Sequence, residues 1–250
     1  MLQLQVPEGR HRILLHCCCA PCSGAVVECL VQNGLRPALF FSNSNIVPFG
    51  EYEKRRGELV RYAAQFGLEC IDDEYNHEEW LDFVLRSGEM PGQAGPDAMA
   101  AAPERGPRCL KCFKFRLMRA AKYATDNGFD VLATTLASSR WKSLEQVEEA
   151  GCWACREMAD QVGHDEAQGK HDEEQCSHDE EQGKHDEAQG NHDEEQGSHD
   201  EAQAGRDVIF WPQNWRKGGL QPRRAEIIKE QDFYNQTWCG CEFSGHHEAR

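Results

Sequence analysis

The sequence predicts an α/β protein: a single Rossmann-like, three-layer domain with a mostly parallel sheet, interrupted by a disordered acidic repeat insert. Three observations carry that expectation. Short apolar runs alternate with amphipathic segments, the pattern of strands joined by right-handed crossover helices. Six consecutive heptads beginning His-Asp-Glu run from His164 to Gly205 and break the alternation. The 208 residues outside them suit one α/β domain of ordinary size. Residues 1–163 and 206–250 are thus expected to form one domain, with 164–205 as the insert.

The elements follow in order. Arg12 to Cys17 reads as a short buried strand that leads straight into a cluster of cysteines. Ser23 to Gln32 has the apolar spacing of a helix, stopped by Asn33-Gly34. Pro37 to Phe41 is a second strand, Ser42 to Gly50 a polar loop, and Glu51 to Phe66 a basic amphipathic helix. Leu68 to Ile71 is a third strand and Glu78 to Leu85 a short helix. Gly88 to Pro107, rich in Gly, Pro and Ala, is expected to be a mobile connection. A long helix is predicted from Cys109 to Thr125, then a strand from Asp130 to Leu136 and a helix from Leu144 to Ala150. Val208 to Trp211 closes the sheet and Ala225 to Gln231 is a last helix. In such sheets ligands bind beyond the carboxyl ends of the strands, and the first cysteines fall at that edge.

The heptads have no apolar seam, and five of the six carry Gly at the sixth or seventh position. High charge with almost no apolar residues predicts disorder. Charge also divides the chain. The whole carries a formal −16, but the repeat holds 15 acids and two lysines, a net −13. The rest is nearly neutral at −3, so a nucleic-acid partner is not excluded. No apolar stretch approaches the roughly 18 residues of a membrane span, and the N-terminus lacks a secretory signal. The expected location is the cytoplasm, with no membrane partner.

Thirteen cysteines in a small secreted protein would suggest disulfides, but the spacing here argues otherwise. Cys17, Cys18, Cys19 and Cys22 crowd into six residues. Cys109 and Cys112 form one C-x-x-C, Cys152 and Cys155 another, and Cys239-Gly240-Cys241 lies near the end. Adjacent cysteines cannot all meet the geometry of separate disulfides. Thiolates converging on a metal or cluster explain the crowding better. Two cysteines at a strand end and a C-x-x-C at a helix start can surround one centre, either structural zinc or an iron–sulfur cluster.

Several motifs resemble the QueH family of epoxyqueuosine reductases. They are His16-Cys17-Cys18-Cys19-Ala20-Pro21-Cys22, Glu51-Tyr52-x-x-Arg55, Cys109-x-x-Cys112-Phe113 with Arg116-Leu117, and Asn214-x-Arg216-Lys217-Gly218-Gly219. The ending Tyr234-x-Gln236-x-x-Cys239-Gly240-Cys241-x-Phe243-Ser244 belongs to the same pattern. The resemblance implies a 4Fe–4S cluster on Cys18, Cys19, Cys109 and Cys112, and a redox-active pair at Cys239 and Cys241. It also makes Cys22 a candidate ligand of a second metal, a second iron. Cys17 is read as a buried strand thiol. Three positions depart from the pattern: Ser44 and Arg140 stand where Pro is usual, and Asn235 where Arg is frequent. Cys152 and Cys155 lie outside it and are expected to pack on a helix face.

The implied activity is two-electron reductive removal of the epoxide oxygen from epoxyqueuosine at the wobble position of tRNA, giving queuosine. Its partners are that tRNA and an electron donor that the sequence leaves unidentified. Lys114, Arg116, Arg119, Arg140, Lys142, Arg216, Lys217, Arg223 and Arg224 are expected to form a phosphate-contacting rim, with Trp141 or Trp215 free to stack on a base. Two alternatives stand beside this reading. A tRNA thiolase-like, ATP-dependent enzyme needs a Gly/Ser-rich phosphate loop after the first strand, where this chain has cysteines. A non-catalytic zinc- and RNA-binding module would bind zinc and be colourless.

Overall fold

Ile13, Leu14, Leu15 and His16 are all buried, and they form β1 (Ile13–His16), the middle strand of the sheet. A strand apolar on both faces is what a parallel sheet covered on both sides requires. The computed structural model describes residues 2–86, 95–176 and 207–244, without the side chains of 162–176.

After β1 the chain forms α1 (Ala20–Gln32), β2 (Ala38–Phe41), α2 (Phe49–Gln65), β3 (Cys70–Asp72), α3 (His77–Leu85), α4 (Pro96–Ala100) and α5 (Pro107–Asp126). It continues with β4 (Val131–Thr134), a 3-10 turn (Thr135–Ser138), α6 (Leu144–Cys176), β5 (Ile209–Phe210) and α7 (Leu220–Glu230). All pairings in the sheet are parallel, in the order β3-β2-β1-β4-β5. Leu15 lies opposite Leu39 on one side and Ala133 on the other. Helices α1, α2 and α7 pack together as one layer, and α3, α4, α5 and α6 as the other. At Gly24 a β-carbon would meet Ile227 Cγ2 at 2.9 Å, so glycine sets how closely α1 and α7 approach.

Strand order reverses between β1 and β4, because the chain winds outward to β3 and then returns to the other side of β1. The crevice beyond their carboxyl ends is where a ligand is expected. β1 runs into Cys18 and Cys19, and β4 into the loop around Thr135 to Lys142.

Several boundaries differ from the sequence reading for identifiable reasons. Helix α1 begins at Ala20, ahead of Ser23, because Cys19 caps it in an extended conformation and Pro21 suits a first turn. Cys22 therefore sits on a helix. Part of the connection expected to be mobile is ordered as α4, whose Met99, Ala100 and Ala102 carbonyls accept from the buried Arg108 guanidinium at 3.2, 2.7 and 2.6 Å. Helix α7 starts at Leu220 behind Gly219, which has the left-handed φ of 82°. The backbone of α6 runs past His164, so the repeat begins as a continuation of a helix rather than as a loop. Glu, Gln and Ala in these heptads are good helix formers. The expectation of disorder for the rest of the repeat, 177–205, lies outside the described residues.

Candidate metal and redox site

The turn from β1 into α1 brings three thiols together. The sulfurs of Cys18, Cys19 and Cys22 all lie within 4.8 Å of one another and are buried. Cys18 and Cys19 sulfurs are 3.9 Å apart. Thiolates on one tetrahedral ion, at metal–sulfur bonds of about 2.3 Å, stand about 3.8 Å apart. The set therefore has the dimensions and chemistry to hold a metal. Cys18 is held well below the ordinary thiol range, first by hydrogen bonds with the Cys19 and Cys22 thiols, with Lys142 and Arg116 adding positive charge. Hydrogen bonds with Cys18 and Cys22, together with burial, push Cys19 up. Thr135 fixes the turn: its hydroxyl accepts from the Cys18 amide at 3.2 Å and lies 3.6 Å from the Cys18 sulfur.

A second group of thiols lies on α5. Cys109 is in its first turn, where the helix dipole favours a thiolate but burial pushes the thiol up, and Cys112 is in its second. The Arg105 amide donates to the Cys109 sulfur at 3.3 Å. Cys112 is packed with Trp80, Phe115 and Cys241 in a small apolar cluster. Burial drives Cys112 up to about 11, with Arg116 opposing and the charge of Cys239 reinforcing the shift. Cys109 and Cys112 are not part of the compact set around Cys18, where Cys22 takes the third place.

Cys239 and Cys241 sulfurs lie 3.5 Å apart as free thiols. The hydrogen bond between them, reinforced by Lys142, keeps Cys239 well below its usual range and pushes Cys241 up. Gly240 makes the turn possible. Its φ is 104°, and a β-carbon there would meet Arg55 Nη1 at 2.9 Å. The tail is held from outside: Arg55 donates to Cys239 O at 3.0 Å, Val47 N to Gly240 O at 2.9 Å, and His77 Nε2 meets Glu242 at 3.2 Å. Arg55 is buried against Glu51 one turn earlier.

Lys142 joins the groups electrically. Burial works against its charge, but Cys18, Cys22 and Cys239 together raise its pKa. Gln236 is a further link, with Nε2 only 2.6 Å from the Cys19 sulfur. Its buried Oε1 has no hydrogen-bond partner among the described residues. A buried acceptor left unpaired is costly, so this side of the thiols fits an additional bound group. His16 stitches the floor of the site: Nδ1 lies 2.8 Å from Thr134 Oγ1 and Nε2 3.1 Å from Ser42 O. Burial, with Arg116 nearby, lowers its pKa to about 3, so it is a neutral structural ring.

The structure sorts the remaining candidates. Cys17 is fully buried with its thiol donating to Leu15 O, and Cys155 is buried on α6 with Cys152 half-buried. The expected cationic rim is narrower than charge alone suggested. Arg116 is buried against Ser42 O and Asn43. Arg119 pairs with Asp73 and Glu79, Lys114 with Glu149, and Arg223 with Glu28, Glu226 and Glu230. Arg224 donates to Pro21 O. Trp215 is not free for stacking: it is 1% exposed, with its indole N–H on Thr134 O at 3.1 Å. Arg140, Trp141 and Lys217 are exposed. Gln236, Arg105 and Thr135 were not anticipated as site residues. Only Gln236 carried a signal, its place three residues before Cys239.

None of the described helices is long and apolar enough to cross a membrane. Residues 13–180 and 189–247 match a family model described as "Epoxyqueuosine reductase QueH". A protein of that name from Histophilus somni is 35% identical over 97% of this chain and 75% of its own length. Relatives of the same name from Acinetobacter baylyi and Thermotoga maritima are 32% and 28% identical, over 97% and 93% of this chain and 84% and 89% of theirs. The five-stranded parallel sheet, the thiols at its carboxyl edge and these matches agree: the chain belongs to the QueH family of epoxyqueuosine reductases.

Proposed function

We propose that this chain reduces epoxyqueuosine in tRNA to queuosine, acting in the cytoplasm. The observation that carries the reading is the pairing of a compact thiol set able to hold metal with a separate dithiol at one sheet edge. Opening the epoxide to an alkene releases its oxygen as water and consumes two electrons and two protons. A dithiol going to a disulfide supplies that number of each. Cys239 and Cys241 are 3.5 Å apart, and a ring closed across one residue is strained and easily reduced again.

The cofactor proposed is a 4Fe–4S cluster, which when bound supplies electrons one at a time. Cys18, Cys19, Cys109 and Cys112 are its proposed ligands, with Cys22 beside them for a second iron. The compact spacing of Cys18, Cys19 and Cys22 equally suits a single ion, which is the observation favouring the zinc-module alternative. Gln236 and Arg105 hold the Cys19 and Cys109 sulfurs in place by N–H donation. Lys142 keeps positive charge among Cys18, Cys22 and Cys239 and so favours their thiolate forms. No Gly/Ser-rich phosphate loop follows β1, which counts against the thiolase-like alternative.

Anaerobic purification followed by iron, sulfide and zinc determination tests the reading, together with mass analysis of nucleosides from treated tRNA. Iron with sulfide and conversion to queuosine are expected. Zinc alone with no conversion would mean a binding module.

A further inference from the structure

The large apolar side chains exposed among the described residues are Phe49, Val60 and Trp141, at 51%, 38% and 75%. Both aromatics follow strands that neighbour β1, the strand that runs into the cysteines. Phe49 follows the loop after β2, two residues beyond Val47, whose amide holds Gly240 of the dithiol turn. Trp141 follows β4 and directly precedes Lys142, whose charge is felt by Cys18, Cys22 and Cys239. Since β2 and β4 flank β1, Phe49 and Trp141 leave the sheet on either side of the strand that ends in the cysteines.

The Phe49 ring is packed on one side, the Trp141 backbone is held in place, and both side chains stay exposed. Phe49 stacks on Tyr52 with centroids 5.6 Å apart and planes 16° from parallel, and meets Tyr75 edge-on at 5.1 Å. The backbone around Trp141 is clamped from two sides. Arg105 donates to Trp141 O at 2.9 Å and Arg140 O at 2.8 Å, and Arg216 to Lys142 O at 2.7 Å. These guanidiniums satisfy carbonyls yet keep their positive charge, so the loop presents an uncovered indole within a cationic surround that includes exposed Arg140. An aromatic face amid cations suits an unstacked nucleobase whose phosphates lie alongside.

We propose that Trp141 and Phe49 form a two-sided aromatic clamp for the nucleobases that flank the reacting nucleoside in a single-stranded RNA loop. The clamp rests on the tRNA-reductase reading and adds to it the residues that grip the neighbours of the modified base. Trp141, the more exposed and more cation-surrounded ring, carries the larger share.

The test uses the full-length holoenzyme and a fluorescein-labelled anticodon stem–loop RNA containing epoxyqueuosine. Trp141→Ala is expected to weaken binding about five- to hundredfold, and Phe49→Ala by less, with the double variant weaker than either. Trp141→Phe should recover most of the affinity, while losing the quenching of protein fluorescence that wild type shows on RNA addition. In turnover the loss should fall on KM more than on kcat. Unchanged affinity in Trp141→Ala overturns the clamp, as does a wild type that fails to bind the stem–loop. A wild type that binds but does not convert this RNA sinks the reductase reading alone; the variants' affinities still decide the clamp.

Discussion

Two of the thiol groups of this protein are built in opposite ways. Cys18, Cys19 and Cys22 are part of the main core, on a turn fixed by β1, α1 and Thr135. The Cys239-Gly240-Cys241 turn lies in an irregular tail, with Cys239 exposed, its carbonyl held by Arg55 of α2 and the Glu242 side chain met by His77 of α3. The first arrangement leaves sulfur positions no freedom, as metal ligation demands. The second lets sulfurs close into a disulfide and reopen while the core stays still. The proposed roles follow this difference: a fixed thiol set to hold the metal, and a dithiol outside the core to supply an electron pair.

That contrast can be broken most directly at the rigid end. Cys18→Ser should remove bound metal and reduce turnover to background, read by metal analysis and nucleoside mass. Cys239→Ser should also stop turnover but leave metal content unchanged. Loss of metal in that variant would show the tail cysteine to be a ligand and erase the distinction between the groups.

A smaller effect is expected where the tail is tethered. Arg55→Ala removes the ion pair from half-buried Glu51 and frees Cys239 O. Breaking such a pair costs about 3 kcal/mol, or roughly 6 to 12 °C in Tm. Displacing the dithiol should lower kcat on the order of ten- to hundredfold with metal retained. Arg55→Lys keeps the charge but not the forked donors, and should recover stability more than rate. If kcat held while stability fell, the tail would not need its tether for chemistry.

The smallest effect concerns the acidic repeat. Deleting 177–205 removes ten acids and one lysine, a net −9, and brings the chain from −16 to −7. RNA affinity should rise about two- to threefold at low salt, with no gain at high salt where the charges are screened. An equal gain at both salt concentrations would point to steric obstruction.

Much of this was readable in the sequence because it depends on local chemistry. Strands β1, β2 and β4 announce themselves as apolar runs buried on both faces, and the cysteines after β1 must then lie at the ligand-binding edge. Other features depend on where the chain returns to itself. Cys22 joins Cys18 and Cys19 because α1 starts early, at Ala20. Gln236 reaches Cys19 across most of the chain, and Arg55 reaches Cys239 from α2; both residues stand in the motifs above, but spacing does not show which cysteine each meets. Charge likewise does not reveal its partner. Arg119 and Arg223 looked equivalent to Arg140 as phosphate ligands, yet acids arriving from distant segments occupy them. Trp141 and Trp215 were indistinguishable until burial separated them.

The decisive question is whether metal and dithiol are separate parts of one reductase. Anaerobically purified Cys239→Ser protein, compared with wild type for iron, sulfide and conversion of epoxyqueuosine in tRNA, answers it. Separate parts require equal iron and sulfide in both proteins and queuosine formed by wild type alone. Full conversion by the variant, or its loss of iron, would contradict that separation.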